Sequence, residues 1–354
     1  MNRQSEHRAE VSGAAGFPEE CQLAITITAP DRPDPDGSPI VCFAFPGGGY
    51  GRHYYTFDMP DGEGGGQAGW HASRGWIFVA IDHPGVGDSS QPDPNSLTFE
   101  NVAAADATAV RFVLDGLGEG SLVEGYPPLR RPIALGMGQS MGGCFLVVTQ
   151  AQHTPFAGIA VLGYSGIHTV VPSRPGVPNV PMPWIPRSST MAAPIVLNSQ
   201  DLVGAGVVAG ADDLAEAARS AEHPWQWAFH YDDEPADIVQ ADMAANAGIG
   251  PTPVWHSPTI PPCAAQMVSP GAVASEAASI RVPVFVGVGE RDVVPDPHAE
   301  PRAFFSSPDI TLVITERMAH MHNFAHTREK LWSRLHLWGE GIAAATHSSD
   351  DSVK

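Results

Sequence analysis

The chain has 354 residues, of which 43% are hydrophobic, so it is long and apolar enough to bury a large core. Its formal net charge of −20 at pH 7 repels phosphate groups, and nucleic acids and anionic membranes are therefore not expected as partners. No apolar run reaches the ~18 residues of a membrane-spanning helix, and the polar start of the chain lacks the apolar centre of a signal peptide. Four scattered cysteines without metal-type spacing indicate reduced thiols, and we expect a cytoplasmic protein.

Buried strands recur along the chain after a polar start. Residues 1–20 are expected to form a mobile tail. Leu23, Ile25 and Ile27 then alternate with small or polar residues, as in a half-buried strand. The runs that follow are apolar at nearly every position, which is typical of parallel strands buried on both faces. They are Ile40–Phe45, Trp76–Ile81, Pro132–Met137, Gly158–Leu162, Val282–Val288 and Ile310–Thr315.

Helical patterns lie between these runs. The clearest has apolar residues every three or four positions, with Ser96 or Thr98 as an N-cap and Gly118 as a stop. The three predicted helices are Phe99–Leu117, Met141–Gln152 and Phe324–Trp338. Strands that alternate with helices predict an α/β fold with a mostly parallel central sheet flanked by helices.

Residues 168–280 interrupt this alternation. The segment opens with the Pro-rich stretch Val171–Pro186 and continues with Ala/Asp/Glu-rich helical patches near Asp212–Glu222 and Ala236–Ala247. Because sheet-like runs resume afterwards, we interpret the segment as a cap of helices and loops inserted into a core formed by residues 21–167 and 281–345. Four of the eight tryptophans lie in it, namely Trp184, Trp225, Trp227 and Trp255.

The sequence Gly138-Gln139-Ser140-Met141-Gly142 is a G-x-S-x-G motif between a predicted strand and a predicted helix. That setting is what a nucleophile elbow requires, because a tight turn must project the serine Oγ away from the sheet. The glycines allow the turn to be tight and the backbones to approach closely. Ser140 is therefore the candidate nucleophile.

With this motif the chain resembles the α/β-hydrolase superfamily, from about Leu23 to Trp338. Phe45-Pro46-Gly47-Gly48-Gly49-Tyr50 resembles the HGGG-type oxyanion loop of esterases, with Pro46 in place of the histidine. Asp82-His83-Pro84-Gly85-Val86-Gly87-Asp88-Ser89 resembles a structural turn of the superfamily. The resemblance implies that the backbone N–H groups of Gly48 and Met141 bind the oxyanion.

In this superfamily the nucleophile is followed by the acid and then by the histidine. Gly289-Glu290-Arg291-Asp292-Val293-Val294-Pro295 resembles the turn that carries the acid, which makes Asp292 the candidate, with Glu290 and Asp296 as rivals. Met318-Ala319-His320 stands where the superfamily has its histidine, which makes His320 the candidate base and His322 the alternative. The H-x-H pair, with His326 nearby, could also bind a metal, but no matching ligand set stands out elsewhere.

These residues predict acyl transfer through a Ser140–His320–Asp292 triad and an acyl-enzyme, without cofactor or metal. The predicted substrate is a bulky, uncharged, hydrophobic ester or lactone, preferred over acetate esters and over anionic substrates. The expected substrate-binding residues are Tyr50, Trp184 and Trp227. C–C bond hydrolases, thioesterases and acyltransferases of the same superfamily also use serine, and a non-catalytic ligand-binding relative is a further alternative. The sequence is compatible with a homo-oligomer but does not define the oligomeric state.

Overall fold

The structure is a computed structural model that describes residues 2–32, 39–62, 64–179, 182, 184–187 and 225–351, with side chains as far as Thr346. Eight strands form one sheet in the order β1-β2-β4-β3-β5-β6-β7-β8. The pairs β1–β2 and β2–β4 are antiparallel and all other neighbours are parallel, as predicted for a mostly parallel sheet. The strands are β1 Arg3–Glu10, β2 Gln22–Ala29, β3 Ile40–Phe45, β4 Ile77–Ile81, β5 Ile133–Gln139, β6 Gly158–Leu162, β7 Val284–Gly289 and β8 Ile310–Thr315.

The N-terminal residues are ordered as an edge strand, and the prediction of a mobile tail over residues 1–20 is wrong for them. All eight residues of β1 pair with β2, from Arg3 opposite Ala29 to Glu10 opposite Gln22. Ala9 is the buried residue of this strand, and the other side chains of the strand are exposed or half-buried. An edge strand is held in the sheet by backbone hydrogen bonds and commonly carries charged side chains. A segment of low hydrophobicity can therefore still form an edge strand.

Helices cover both faces of the sheet. Leu135 and Gly136 are successive residues of β5 and therefore point to opposite faces. Gly339 lies in the last helix, and a Cβ added to it would be 2.9 Å from a side-chain carbon of Leu135. Leu146 lies in the helix after β5, and its side chain would be 2.6 Å from a Cβ added to Gly136. These two helices therefore lie on opposite faces of the sheet. The described helices are α1 Ser12–Ala15, α2 Gly66–Ala72, α3 Phe99–Glu119, α4 Met141–His153, α5 Gln226–Phe229, α6 Ala236–Asn246, α7 Ala274–Ser279 and α8 Arg328–Asp351.

The helix boundaries follow the capping signals closely. The Thr98 side chain accepts a hydrogen bond from the backbone N–H of Asn101 at 3.1 Å. Helix α3 ends at Glu119 and is followed by Gly120 in the left-handed conformation, two residues beyond the predicted stop. The last helix, α8, begins four residues later than predicted, because residues 322–324 form a separate 3₁₀ turn. In the part of the chain that is described, no helix combines the length and the apolar character needed to cross a bilayer.

The chain between β6 and β7 is the inserted segment. Helix α6 coincides with the predicted patch Ala236–Ala247, whereas the predicted patch Asp212–Glu222 lies outside the described residues. The segment is hydrogen-bonded to the loop after β3, where the N–H of Gly51 donates to the carbonyl of Trp255 and the N–H of Ser257 donates to the carbonyl of Gly49, both at 2.9 Å. Its described residues therefore pack beside the carboxyl ends of the parallel strands.

Candidate active site

The predicted nucleophile lies on a strained turn between β5 and α4. Ser140 has φ 54° and ψ −116°, a conformation that non-glycine residues rarely adopt. The turn is tight enough that a Cβ on Gly142 would lie 2.1 Å from the carbonyl oxygen of Phe45. This geometry matches a nucleophile elbow, in which the serine side chain is held clear of the sheet.

Three predicted residues from different loops meet at this turn. His320 follows β8 and Asp292 follows β7, so both lie at the carboxyl edge of the parallel sheet, next to Ser140. The His320 Nε2 atom is 3.0 Å from Ser140 Oγ, and its Nδ1 atom is 2.7 Å from Asp292 Oδ1. His320 and Asp292 are both buried, at 3% and 7% exposure. Water therefore has little access to weaken the hydrogen bonds between the three side chains.

The Asp292 carboxylate accepts four hydrogen bonds. Its Oδ1 atom accepts from the Val293 N–H at 2.7 Å and from His320, and its Oδ2 atom accepts from the Gly289 N–H at 2.8 Å and from His322 Nε2 at 2.7 Å. Burial alone would raise the pKa of this carboxyl, but His322 and His320 outweigh burial and hold the pKa well below its usual range. Asp292 is therefore ionised throughout the physiological pH range.

The rival residues have other contacts. Glu290 is exposed and accepts a hydrogen bond from the N–H of Arg317, and Asp296 is exposed on the loop that follows. His322 contacts Asp292, and the Ser140 hydroxyl is bonded to His320 instead. His326 bonds to Asp61 at 3.0 Å on the surface. The structure thus brings the first-choice acid and base of the sequence analysis together with Ser140.

The backbone of His320 is held from both sides. Its carbonyl accepts a hydrogen bond from the side-chain amide of Gln139 at 2.8 Å, and its N–H donates to the carbonyl of Ala228 at 2.9 Å. The next residue, Met321, donates to the carbonyl of Phe229 at 2.9 Å, and the ring of Phe229 packs against the imidazole with centroids 5.0 Å apart. The inserted segment therefore forms part of the support of the candidate base.

The loop after β3 lies beside Ser140. A Cβ on Gly47 would be 3.2 Å from Ser140 Cβ, and a Cβ on Gly48 would be 3.8 Å from Met141 Sδ. Met141 is the first residue of α4, where a backbone N–H has no partner within the helix. The two predicted oxyanion donors, Gly48 and Met141, are thus close to the nucleophile, and their role as donors stays a prediction.

A small cavity of about 40 Å³ opens onto Ser140 and His320. One side is formed by Gly47, Gly48 and Gln139. The opposite walls are apolar, and most of them come from the inserted segment. The apolar lining residues include Val171, Met182, Trp225, Phe229, Met267 and Val268.

The three predicted substrate-binding residues differ in their position relative to the cavity. Tyr50 lines the cavity, but its hydroxyl is turned away and donates to Asp242 Oδ2 at 2.7 Å. Trp184 is 67% exposed and packs beside His168, and Trp227 stacks on the guanidinium of Arg291. Among the described residues that line the cavity, neither Trp184 nor Trp227 is present, and their assignment as substrate-binding residues stays a prediction. Trp225, which precedes Trp227 by two residues, does line the cavity. The sequence did not indicate this, because the spacing of residues in an irregular segment does not show which side chains point inward.

A buried polar cluster joins the inserted segment to the loop after β3. His230 bonds to Glu234 at 2.6 Å and to Asp242 at 2.9 Å, and Asp242 also accepts from Tyr50 and from Trp255 Nε1. Burial alone would lower the pKa of His230, but its hydrogen bonds to Asp242 and Glu234 raise the pKa to about 9. His230 is therefore a cation at neutral pH, held between two carboxylates.

Cys144 is a second nucleophilic side chain one turn into α4. It is completely buried, and burial raises the pKa of its thiol to about 12. Because only the thiolate is a strong nucleophile, Cys144 does not compete with Ser140.

Solved structures with the same architecture align over nearly the whole chain. A proline iminopeptidase from Mycobacterium smegmatis aligns with a TM-score of 0.59 at 16% identity, covering 97% of this chain and 100% of that chain. An esterase from Exiguobacterium antarcticum aligns with a TM-score of 0.58 at 12% identity, covering 94% and 98%. A thermophilic esterase from Thermogutta terrifontis, with malate bound, aligns with a TM-score of 0.56 at 14% identity, covering 95% and 99%.

The chain matches no family model and no curated protein sequence. At sequence identities of 12–16%, these solved structures are evidence for the architecture alone. They confirm the fold to which the sequence motifs point: the chain has the α/β-hydrolase fold.

Proposed function

We propose that the protein is a serine hydrolase of carboxylic esters. The observation that carries this proposal is the chain of short hydrogen bonds from Ser140 through His320 to Asp292 at a strained elbow. Ser140 Oγ attacks the carbonyl carbon while His320 Nε2 takes the hydroxyl proton. Asp292 keeps the His320 proton on Nδ1 and stabilises the imidazolium that forms.

The leaving alcohol takes the proton from His320, and the acyl group stays on Ser140 as an ester. Water then attacks this acyl-enzyme with His320 as the base. The N–H groups of Gly48 and Met141 are the proposed donors to the oxyanion in both steps, and each such donor is typically worth about 10²–10³ in rate. No metal or cofactor takes part in this mechanism.

The substrate proposal starts from the size and lining of the cavity. A cavity of about 40 Å³ is small beside the roughly 300–1,000 Å³ of ordinary ligand pockets. We propose that a short acyl group occupies this space and that the bulk of the hydrophobic substrate is in its alcohol part, on the other side of the carbonyl. Open esters suit this division better than large lactones, whose ring continues on both sides of the carbonyl. Residues 168–280 are proposed as a cap, and its described residues that line the cavity form the acyl side of the site.

Hydrolysis of an ester series tests the proposal. Because the cavity is small, and in contrast to the sequence-based expectation that acetate esters are poor substrates, we expect kcat/KM to fall from 4-nitrophenyl acetate to the octanoate. An acetate ester of a bulky alcohol such as 2-naphthol should remain a good substrate. Ser140→Ala should lose nearly all activity, while Ser275→Ala, which changes an exposed serine that does not line the cavity, serves as the matched control. Full activity of purified Ser140→Ala would refute the serine mechanism. A preference for the octanoate would refute the assignment of the cavity to the acyl group.

A further inference from the structure

The second oxygen of the Asp292 carboxylate is bound by a histidine that the mechanism above does not use. His322 Nε2 lies 2.7 Å from Asp292 Oδ2, and both side chains are at most 2% exposed. We propose that His322 is a positioning residue, which holds Asp292 through Oδ2 and draws off part of the negative charge that Asp292 presents to His320. This inference rests on the proposed function, because it assigns His322 to the same triad.

The hydrogen-bonding pattern defines which nitrogen of His322 carries the proton. An ionised carboxylate can only accept, so Nε2 must donate. The other ring nitrogen, Nδ1, is buried and has no partner in the structure. A proton on Nδ1 would be a buried N–H without an acceptor, which is costly, and the geometry therefore favours the tautomer with its proton on Nε2.

The surroundings of His322 contain few other groups that could change charge. A space of about 10 Å³ lies beside its ring and is lined by Tyr54, Tyr55, Gln139 and Asn323 among others. Burial raises the pKa of Tyr54 and of Tyr55 well above the usual value, so both stay neutral. In the described part of the chain, the ionisable side chains hydrogen-bonded to Asp292 are His320 and His322. Arg291 next to it is directed away, towards Asp232 and the carbonyl of His230.

The shared carboxylate gives His322 a measurable effect on His320. A hydrogen bond from His322 spreads the negative charge of Asp292 over two partners, which weakens its hold on an imidazolium at His320. Removing the donor concentrates that charge on His320, so the imidazolium form persists to higher pH. Removing it also frees one side of the carboxylate, where the Gly289 N–H is then the remaining partner of Oδ2.

The test compares donor and non-donor replacements of His322. His322→Leu removes the donor, whereas His322→Gln places an amide N–H near the position of Nε2. For His322→Leu we expect kcat to fall about tenfold, as for the loss of a hydrogen bond to a charged group, with KM little changed. The acid limb of its kcat/KM profile should move to higher pH by about half a unit to one unit. His322→Gln should recover most of both effects, and His326→Gln is the control at an exposed histidine.

Two results would overturn the proposal. One is a folded His322→Leu enzyme with the kcat and the pH profile of wild type. The other is a His322→Gln enzyme that behaves like His322→Leu, which would assign His322 to packing only. If His322→Leu does not fold, His322→Asn replaces it, because the shorter amide does not reach Oδ2 and keeps the site polar.

A second measurement separates this proposal from the proposed function. In Ser140→Ala, the titration of the His320 ring is followed by NMR with and without His322→Leu. We expect the titration midpoint to rise in the double variant, whether or not the wild-type protein hydrolyses the chosen esters. An unchanged midpoint would contradict the role of His322, while inactivity of wild type with a raised midpoint would contradict only the proposed function.

Discussion

Asp292→Asn replaces the carboxylate at the centre of the site with an amide of almost the same shape. The two carboxylate oxygens of Asp292 accept four N–H groups, two from backbone and two from histidines. An amide offers one acceptor oxygen and one NH₂ group. In either orientation, the NH₂ group therefore faces a backbone N–H, that of Gly289 or that of Val293, which cannot turn into an acceptor.

Each orientation of the amide has its own cost. When the NH₂ group points towards Val293, it also points towards Nδ1 of His320, which must then offer a lone pair. The proton of the His320 ring is then on Nε2, and this nitrogen cannot accept the proton of Ser140. This wrong tautomer costs about 10⁴ in kcat in serine proteases, equivalent to about 5.5 kcal/mol. With NH₂ towards Gly289, His320 keeps its tautomer but loses the negative charge beside it. An unmatched buried donor costs about 1–3 kcal/mol in either case.

We therefore expect Asp292→Asn to lower kcat/KM by about 10³–10⁴-fold and the free energy of unfolding by about 1–3 kcal/mol. The assays are initial rates of ester hydrolysis and urea unfolding followed by tryptophan fluorescence. The rival carboxylates supply matched controls, and Glu290→Gln and Asp296→Asn, both exposed, should stay within about twofold of wild type. The reasoning is refuted if Asp292→Asn retains a tenth of wild-type activity or if one of the controls abolishes it.

Three further predictions concern the walls and supports of the site. Trp225→Ala should raise the ratio of octanoate to acetate hydrolysis by at least about tenfold, whereas Trp184→Ala at an exposed position should leave it unchanged; equal ratios in both variants would remove Trp225 from the acyl site. His230 has its pKa raised to about 9, so its contribution to stability, as much as about 3 kcal/mol, is complete below about pH 6.5 and is lost as the pH rises through about 9. Wild type should therefore lose stability across this window in urea titrations, and His230→Gln should lose much less; parallel curves would contradict the charged cluster. Gly142→Ala should lower the free energy of unfolding by about 3 kcal/mol or more because its Cβ meets a backbone carbonyl, whereas Gly118→Ala, which meets nothing within 4 Å, should raise it by up to about 1 kcal/mol.

The strands and the three central residues were predictable because each has a local signature. A buried parallel strand is apolar on both faces, and the predicted runs at Ile40–Phe45, Gly158–Leu162 and Ile310–Thr315 coincide with β3, β6 and β8. The nucleophile, acid and base follow strands that end at one edge of the sheet. The elbow motif selected Ser140, and the chain order together with the resemblance of residues 289–295 to the acid-bearing turn of the superfamily selected Asp292.

The choice between His320 and His322 was harder to make from the sequence. Both lie in one loop, two residues apart, and both contact Asp292. Which one reaches Ser140 depends on how the loop bends, and that is decided by the hydrogen bonds of the His320 backbone to Gln139 and Ala228. These contacts join residues about 90 to 180 positions apart and leave no local pattern.

The cavity walls and the edge strand were not predictable for different reasons. The inserted segment has no regular period, so the sequence did not indicate which of its tryptophans lines the cavity, and among the described lining residues it is Trp225. Gly163 after β6 was also missed; it has φ +55°, and a Cβ there would lie 3.1 Å from His320 Nδ1. The edge strand β1 was missed because its pairing uses backbone groups, which every sequence carries.

Covalent labelling of the nucleophile tests the central claim most directly. The purified protein is treated with a fluorophosphonate, and the adduct is located by mass spectrometry of its peptides while ester hydrolysis is followed in parallel. The account predicts one adduct per chain, on Ser140, with loss of hydrolysis in proportion to labelling and no adduct in Ser140→Ala. Loss of hydrolysis without modification of Ser140, or a folded wild-type protein that neither reacts with the probe nor hydrolyses any ester of the series, would contradict it.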